Sequence, residues 1–215
     1  MANRPVYCVK DTFPFYKETD TEFEFFNGFS IQQKQRCIKS LHDAFLRSKP
    51  EAKVLEVSRK SADEIGTQLS AFNLTYDHEG KAYPVECLFQ GSKVFEGGKL
   101  YQDLYDKTPK EAKQDERLKS SGAIVGFKLF DIDFPSEPKT LFYNFLYISA
   151  LNKNEELKSR LLEYDAFTDI EFNPKKSLNC QAMAVAIFVG LCRNGLIEDA
   201  LKSAGDFKRI VYGIE

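Results

Sequence analysis

Glu86, Gln90 and Lys93 recur at intervals of four and three in the run Val85-Glu86-Cys87-Leu88-Phe89-Gln90-Gly91-Ser92-Lys93-Val94-Phe95. Helical spacing puts them on one face, with Val85, Leu88, Ser92 and Phe95 on another. Such a stripe is either a solvated face with an i,i+4 hydrogen bond or the wall of a cavity in which Lys93 sets the charge of Glu86. A second candidate lies in Ile31-Gln32-Gln33-Lys34-Gln35-Arg36-Cys37-Ile38. The apolar stripe Ile31, Ile38, Leu41 and Phe45 carries Lys34 and Gln35 with it. An inward lysine either snorkels past the core edge or sits in a cavity with a lowered pKa, able to hold phosphate or attack a sugar aldehyde. The third is the polar run from Asp169 to Gln181, which leads into an apolar helix whose N-terminus suits phosphate. A plain loop capped by Ser177 or Asn179 is the alternative there. Lys110, Lys113 and Arg117 share a helix face that could meet a phosphate backbone, with Glu111, Asp115 and Glu116 diluting its field.

The common catalytic and cofactor signatures (GxGxxG, the Walker loop, HExxH, GxSxG) are absent, so no cofactor is implied. With only His42 and His78 as histidines, acid–base work falls to carboxylates or lysines. The five cysteines are scattered, with no spacing that clamps zinc and no disulfide pattern. Thirty basic and 32 acidic residues leave a net charge of −2, so affinity for nucleic acid has to come from a local patch. Nineteen Phe and ten Tyr offer faces for packing or for stacking on a base. The N-terminus lacks a signal-type apolar region, and the longest apolar run, Ala182 to Cys192, is too short to span a bilayer. The expectation is a soluble cytoplasmic protein.

The elements that position these residues read as one helix-dominant α+β domain over 1–215. At 43% hydrophobic and 29% charged residues the chain has the makings of a sizeable core. Strands are predicted at Val6–Val9, Glu22–Phe26 and Lys53–Val57, around a helix Ile31–Arg47 capped by Ser30. A short helix or turn at Ser61–Leu69 precedes a hairpin, Phe72–Tyr76 with Lys81–Tyr83. From Pro84 onward the pattern predicts mainly helix: Val85–Phe95, then a helix to about Leu118 opened by the capping box Thr108-Pro109-Lys110-Glu111. Glu137–Leu151 and Leu178–Cys192 are apolar almost all round and belong at the centre. Glu155–Tyr164 is an amphipathic surface helix and Ala166–Phe172 a strand.

The Val85–Phe95 run, followed by Thr108-Pro109-Lys110-Glu111-Ala112-Lys113, resembles the NADAR family. Leu69-Ser70-Ala71-Phe72-Asn73 and Asn179-Cys180-Gln181-Ala182 are similar to the elements that flank that pattern. Residues 69–192 carry these core motifs. Gln33-Lys34-Gln35, Ser58-Arg59-Lys60-Ser61 and the run Phe167 to Lys176 resemble the branch of NADAR antitoxins paired with DarT toxins, with residues 1–68 particular to that branch. The resemblance implies a NADAR-like fold and a hydrolase that removes ADP-ribose from guanine in DNA. ADP-ribosylated DNA would be the substrate, ADP-ribose the product and a DarT-type toxin the counterpart, with no membrane and no metal. It implies Glu86 as the carboxylate that stabilises the oxocarbenium ion. Lys34 would form a Schiff base or neutralise pyrophosphate, and Lys93 would bind pyrophosphate or tune Glu86. Gln90, Gln35, Phe72, Phe89, Asp169, Asn173, Lys175 and Asn179 would contact the nucleotide, and Lys110, Lys113 and Arg117 the DNA. The alternatives are an N-glycosidase of a free phosphorylated metabolite, or a non-catalytic module that binds ADP-ribose or a toxin.

Overall fold

The computed structural model describes residues 1–214. Its first layer is a sheet built from both ends of the chain. Strands β1 (Ala2–Val9) and β2 (Tyr16–Phe23) form an antiparallel hairpin. Helix α1 (Ile31–Leu46) follows, its first turn closed by Ser30 accepting from the Gln33 amide at 3.3 Å. Next come β3 (Val54–Glu56), the short α2 (Glu64–Gln68), and the hairpin β4 (Thr75–His78) and β5 (Lys81–Pro84). Helix α3 (Val85–Gly91) gives way to β6 (Lys93–Phe95), and α4 (Pro109–Gln114) to α5 (Arg117–Ser120). Strands β7 (Ile124–Leu129) and β8 (Ile132–Pro135) precede α6 (Leu141–Asn152) and α7 (Glu155–Leu161). The chain continues through β9 (Ala166–Thr168) and α8 (Gln181–Arg193) to α9 (Ile197–Ala200) and α10 (Ala204–Tyr212).

The late strand β9 inserts between β1 and β3, giving the order β2-β1-β9-β3, antiparallel to β1 and parallel to β3. Alternation along the strands sends their side chains to two cores. Val6, Cys8 and Ala166 face α1, packing with Cys37, Ile38, Leu41 and Phe45. Tyr7, Leu55 and Phe167 face the other way, into the large core built on α6 and α8. Both of those helices are buried almost all round, as their apolar composition requires. The mixed, helix-rich α+β architecture agrees with the sequence pattern. No helix among the described residues is long and apolar enough to cross a membrane.

Four expectations change. The helix from Val85 stops at Gly91, where the Tyr105 ring lies so near that a Cβ would come within 2.6 Å and only glycine fits. Lys93–Phe95 then leaves as a strand, pairing with β7 through Lys93↔Phe127 and Val94↔Gly126. The stretch after Pro84 therefore holds a three-stranded sheet, β6-β7-β8, where helix was expected. The helix opened by Thr108 is broken at Asp115, whose carboxylate takes the Arg117 amide at 2.9 Å; a side chain that bonds nearby backbone competes with the helical ladder. Finally, α8 begins at Gln181 with Cys180 as N-cap, so neither Ser177 nor Asn179 caps it.

Candidate functional site

A cleft of about 1230 Å³ opens between α3 and α4 on one side and the loop from β9 to α8 on the other. Ordinary small-molecule sites occupy roughly 300–1,000 Å³, so this one is large enough for a ligand of nucleotide size with more attached. Glu86, on the first turn of α3, is 6% exposed. Its Oε1 accepts from Gln90 Nε2 at 2.8 Å and meets Lys113 Nζ of α4 at 3.6 Å. Its Oε2 has no hydrogen-bond partner among the described residues and is not among the buried unpaired oxygens, so it opens to the cleft.

Gln90 relays charge. Its Oε1 accepts from Lys93 Nζ at 2.5 Å while its amide nitrogen serves Glu86, the one orientation compatible with an ammonium on one side and a carboxylate on the other. Burial lowers the Lys93 pKa to about 8, with Glu86 opposing the shift and Lys113 adding to it. The same ammonium sits 4.9 Å from the Phe89 ring centroid. Phe89 is fixed in turn by an edge-on contact with Tyr143 at 5.1 Å and by stacking with Phe127 at 6.0 Å. The α3 spacing of Glu86 and Gln90 is thus helical as expected, whereas Lys93 reaches them from the start of β6.

The opposite wall is set by Asp169. Its Oδ1 accepts from the amides of Glu171 and Phe172 at 3.0 and 3.1 Å, and its Oδ2 from Gln181 Nε2 at 2.9 Å. Gln181 also donates to Val57 O and accepts from the Ala71 amide, tying three loops at one point. Behind Asp169 lies Glu56, 2% exposed, which accepts from Ser58 Oγ, Thr168 Oγ1 and the Ile170 amide at 2.6–2.8 Å. Burial holds both carboxyls above the usual carboxylate range, and Asp169 raises Glu56 further. Thr168 Oγ1 also lies 2.8 Å from His42 Nε2, so the imidazole of α1 joins the same seam. Asn179 also lines the cleft, with its Oδ1 buried and unpaired.

Ten of the residues singled out by sequence converge on this cleft: Glu86, Gln90, Lys93, Phe72, Phe89, Asp169, Asn173, Asn179, Lys110 and Lys113. Four do not line it. Arg117 is committed elsewhere, to Asp103 at 2.7 Å and Asp115 at 2.8 Å, because the break at Asp115 turns it away from Lys110 and Lys113. Lys175 is exposed on the outer side of a turn in which Asn173 accepts its amide. Lys34 and Gln35 are half-buried on α1. Lys34 stands one turn before Ile38, which packs in the same core as Ile170, the residue between Asp169 and Glu171 of the cleft wall. Its Nζ has no hydrogen-bond or ion-pair partner among the described residues. Ile31, expected in the core, is 55% exposed, since the first turn of α1 carries none of that helix's buried residues.

Sequence reasoning gives no role to Glu56, Tyr143, Gln181, Lys139 or Arg59. A charged residue inside the apolar strand Val54-Leu55-Glu56-Val57 is the available signal for the first. In total the cleft is lined by six cationic side chains (Arg59, Lys93, Lys110, Lys113, Lys139, Lys176) and four carboxylates (Glu86, Glu137, Asp169, Glu171), in a chain of net charge −2.

Fold and cleft together define an α+β pocket protein in which a half-tethered carboxylate faces aromatic walls and surplus positive charge. The model for the DarT1-associated NADAR antitoxins matches residues 2–215, and the chain belongs to that family. No curated protein matches it.

Proposed function

We propose that this protein is a hydrolase that removes ADP-ribose from guanine bases in DNA and so reverses the action of a DarT-type transferase. The observation that carries the reading is Glu86: one oxygen is tethered to Gln90 and Lys113, the other is free toward a cleft rich in cations. Breaking the bond from the ribose anomeric carbon to the guanine nitrogen leaves positive charge on the sugar, and a fixed carboxylate stabilises it. The bonding electrons go to the base, which takes up a proton. Water adds to the anomeric carbon and gives up a proton, so the products are ADP-ribose and unmodified guanine. A guanine in a duplex has to be extruded or met as single strand before it reaches such a site.

Lys93, together with Lys139 and Lys176 of the same cleft, supplies positive charge for the pyrophosphate, Asp169 a ribose hydroxyl contact, and Asn179 Oδ1 an acceptor for a ligand hydroxyl or amine. Lys34, half-buried on α1 and outside the cleft lining, is the second amine of the proposal, and its long stem has to swing past Ile170 to reach the sugar. In that route the ribose ring opens to an iminium still joined to guanine. The lysine amine adds to the anomeric carbon and expels the guanine nitrogen, which takes up a proton, and one water hydrolyses the resulting Schiff base to lysine and ADP-ribose.

The test uses purified protein and an oligonucleotide carrying ADP-ribosylated guanine. The parent releases ADP-ribose. Glu86→Gln slows release by about 100-fold or more, in the usual range for losing a positioned acid–base group, with its unfolding midpoint retained. Full activity in Glu86→Gln removes that assignment. Tight binding of ADP-ribose without release makes the protein a binding module instead. Borohydride added during turnover should leave an adduct on Lys34; turnover with no adduct makes the lysine purely electrostatic.

A further inference from the structure

The motif Ser58-Arg59-Lys60-Ser61 has no part in the chemistry above, yet the fold brings its Arg59 to the cleft. Arg59 lies over the Phe72 ring with its guanidinium carbon 4.1 Å from the centroid, and Lys113 Nζ approaches the same ring at 5.1 Å. Lys110, one helical turn before Lys113 on α4, extends the row, and all four residues line the cleft. Arg59 and Lys110 are exposed and have no ion-pair partner among the described residues. Lys113 is shared with Glu86, so the row ends at the carboxylate itself.

We infer that Arg59, Phe72, Lys113 and Lys110 form the track for a single DNA strand, separate from the part of the cleft that takes ADP-ribose. This rests on the glycosidase reading and specifies how its macromolecular substrate is held. Cations interleaved with a half-buried ring on a cleft wall are the chemistry of single-strand binding, in which phosphates follow the charges and bases find a flat face. The set differs from the sequence expectation: Arg117 drops out, Arg59 enters, and Phe72, expected to contact the nucleotide, moves to the strand. The route also has a direction, since a strand lying along the row delivers its base to Glu86.

The experiment measures two equilibria on the full chain, binding of an unmodified single-stranded oligonucleotide across a salt series and binding of free ADP-ribose. The variant is Arg59→Glu with Lys110→Glu, two exposed positions. The oligonucleotide affinity of the variant should fall about tenfold or more at low salt. The slope of log affinity against log salt should become shallower by about 1.4, since each single-strand phosphate left without its cation accounts for roughly 0.7. ADP-ribose affinity should stay within about twofold. Unchanged oligonucleotide binding in the variant, or none by the parent, overturns the track. An equal loss of ADP-ribose binding also overturns it, because the row would then belong to the nucleotide pocket. A parent that binds oligonucleotide through these residues but neither binds nor releases ADP-ribose would sink the glycosidase reading and leave the track standing.

Discussion

At the scale of single residues, Lys93 is the cleft cation whose charge changes near a working pH. Burial brings its pKa down to about 8, so it is a cation below that pH and neutral above it. If its charge holds the pyrophosphate, ADP-ribose affinity falls as pH rises through about 8. A drop of about tenfold between pH 7 and 9 corresponds to one charge-assisted contact. Lys93→Arg keeps its charge throughout this range, so the fall should disappear or move to higher pH; a profile identical to the parent's refutes the role. The polar stripe that singles out Glu86 and Gln90 is legible in the sequence because helical spacing alone brings them together. The fate of Arg117 is only half legible: Asp115 is two residues away, but its other partner, Asp103, belongs to a turn fourteen residues earlier, and pairing across that distance leaves no periodic mark.

At the scale of elements, α4 shows how local chemistry places a functional face. Its capping box is complete: Thr108 Oγ1 accepts from the Glu111 amide, and Glu111 accepts from the Thr108 amide at 2.9 Å. Thr108→Ala should cost about 1 kcal/mol, which in a chain of this length lowers the unfolding midpoint by about 2–4 °C. It should also weaken oligonucleotide binding, since Lys110 and Lys113 ride on that helix. An unchanged thermal midpoint would show that tertiary packing alone holds α4. The box is readable because every partner lies within four residues. Its downstream end is harder to read, because the local bond from the Arg117 amide to Asp115 acts together with a pairing of Arg117 to the distant Asp103. The strands β7 and β8 escape the sequence pattern although Phe127, Leu129 and Phe134 point to the core, since a strand is defined by a partner that a linear pattern does not name.

At the scale of the whole molecule, the polar seam of His42, Thr168 and Glu56 sits between α1 and the sheet and links folding to pH. Glu56 keeps its proton in the fold up to about 8, whereas the unfolded chain releases it near 4.5. The folded state binds more protons over that window, and stability falls as pH rises through it. His42 acts the other way, because burial holds its pKa near 4 against 6.5 in the unfolded chain, so its contribution rises with pH between those values. The two slopes oppose one another from about pH 4.5 to 6.5, and above that only the Glu56 slope remains. Glu56→Gln should therefore flatten the decline in denaturant-measured stability between about pH 6.5 and 8, a decline of up to about 1.4 kcal/mol per pH unit. Parallel curves for parent and variant would place the titration elsewhere.

The sequence by itself determined the α+β class, the central pair of apolar helices, the capped starts of α1 and α4, and the polar spacing on α3. Each follows from interactions between near neighbours or from the periodicity of burial. Only the tertiary structure decided that β9 enters the sheet between β1 and β3, bringing Asp169 to the cleft opposite Glu86. It alone decided that Arg59 lies on Phe72, that Gln181 ties three loops, and that Arg117 turns away. These depend on partners tens of residues or more distant, whose encounter is set by how the two cores pack and not by any local preference.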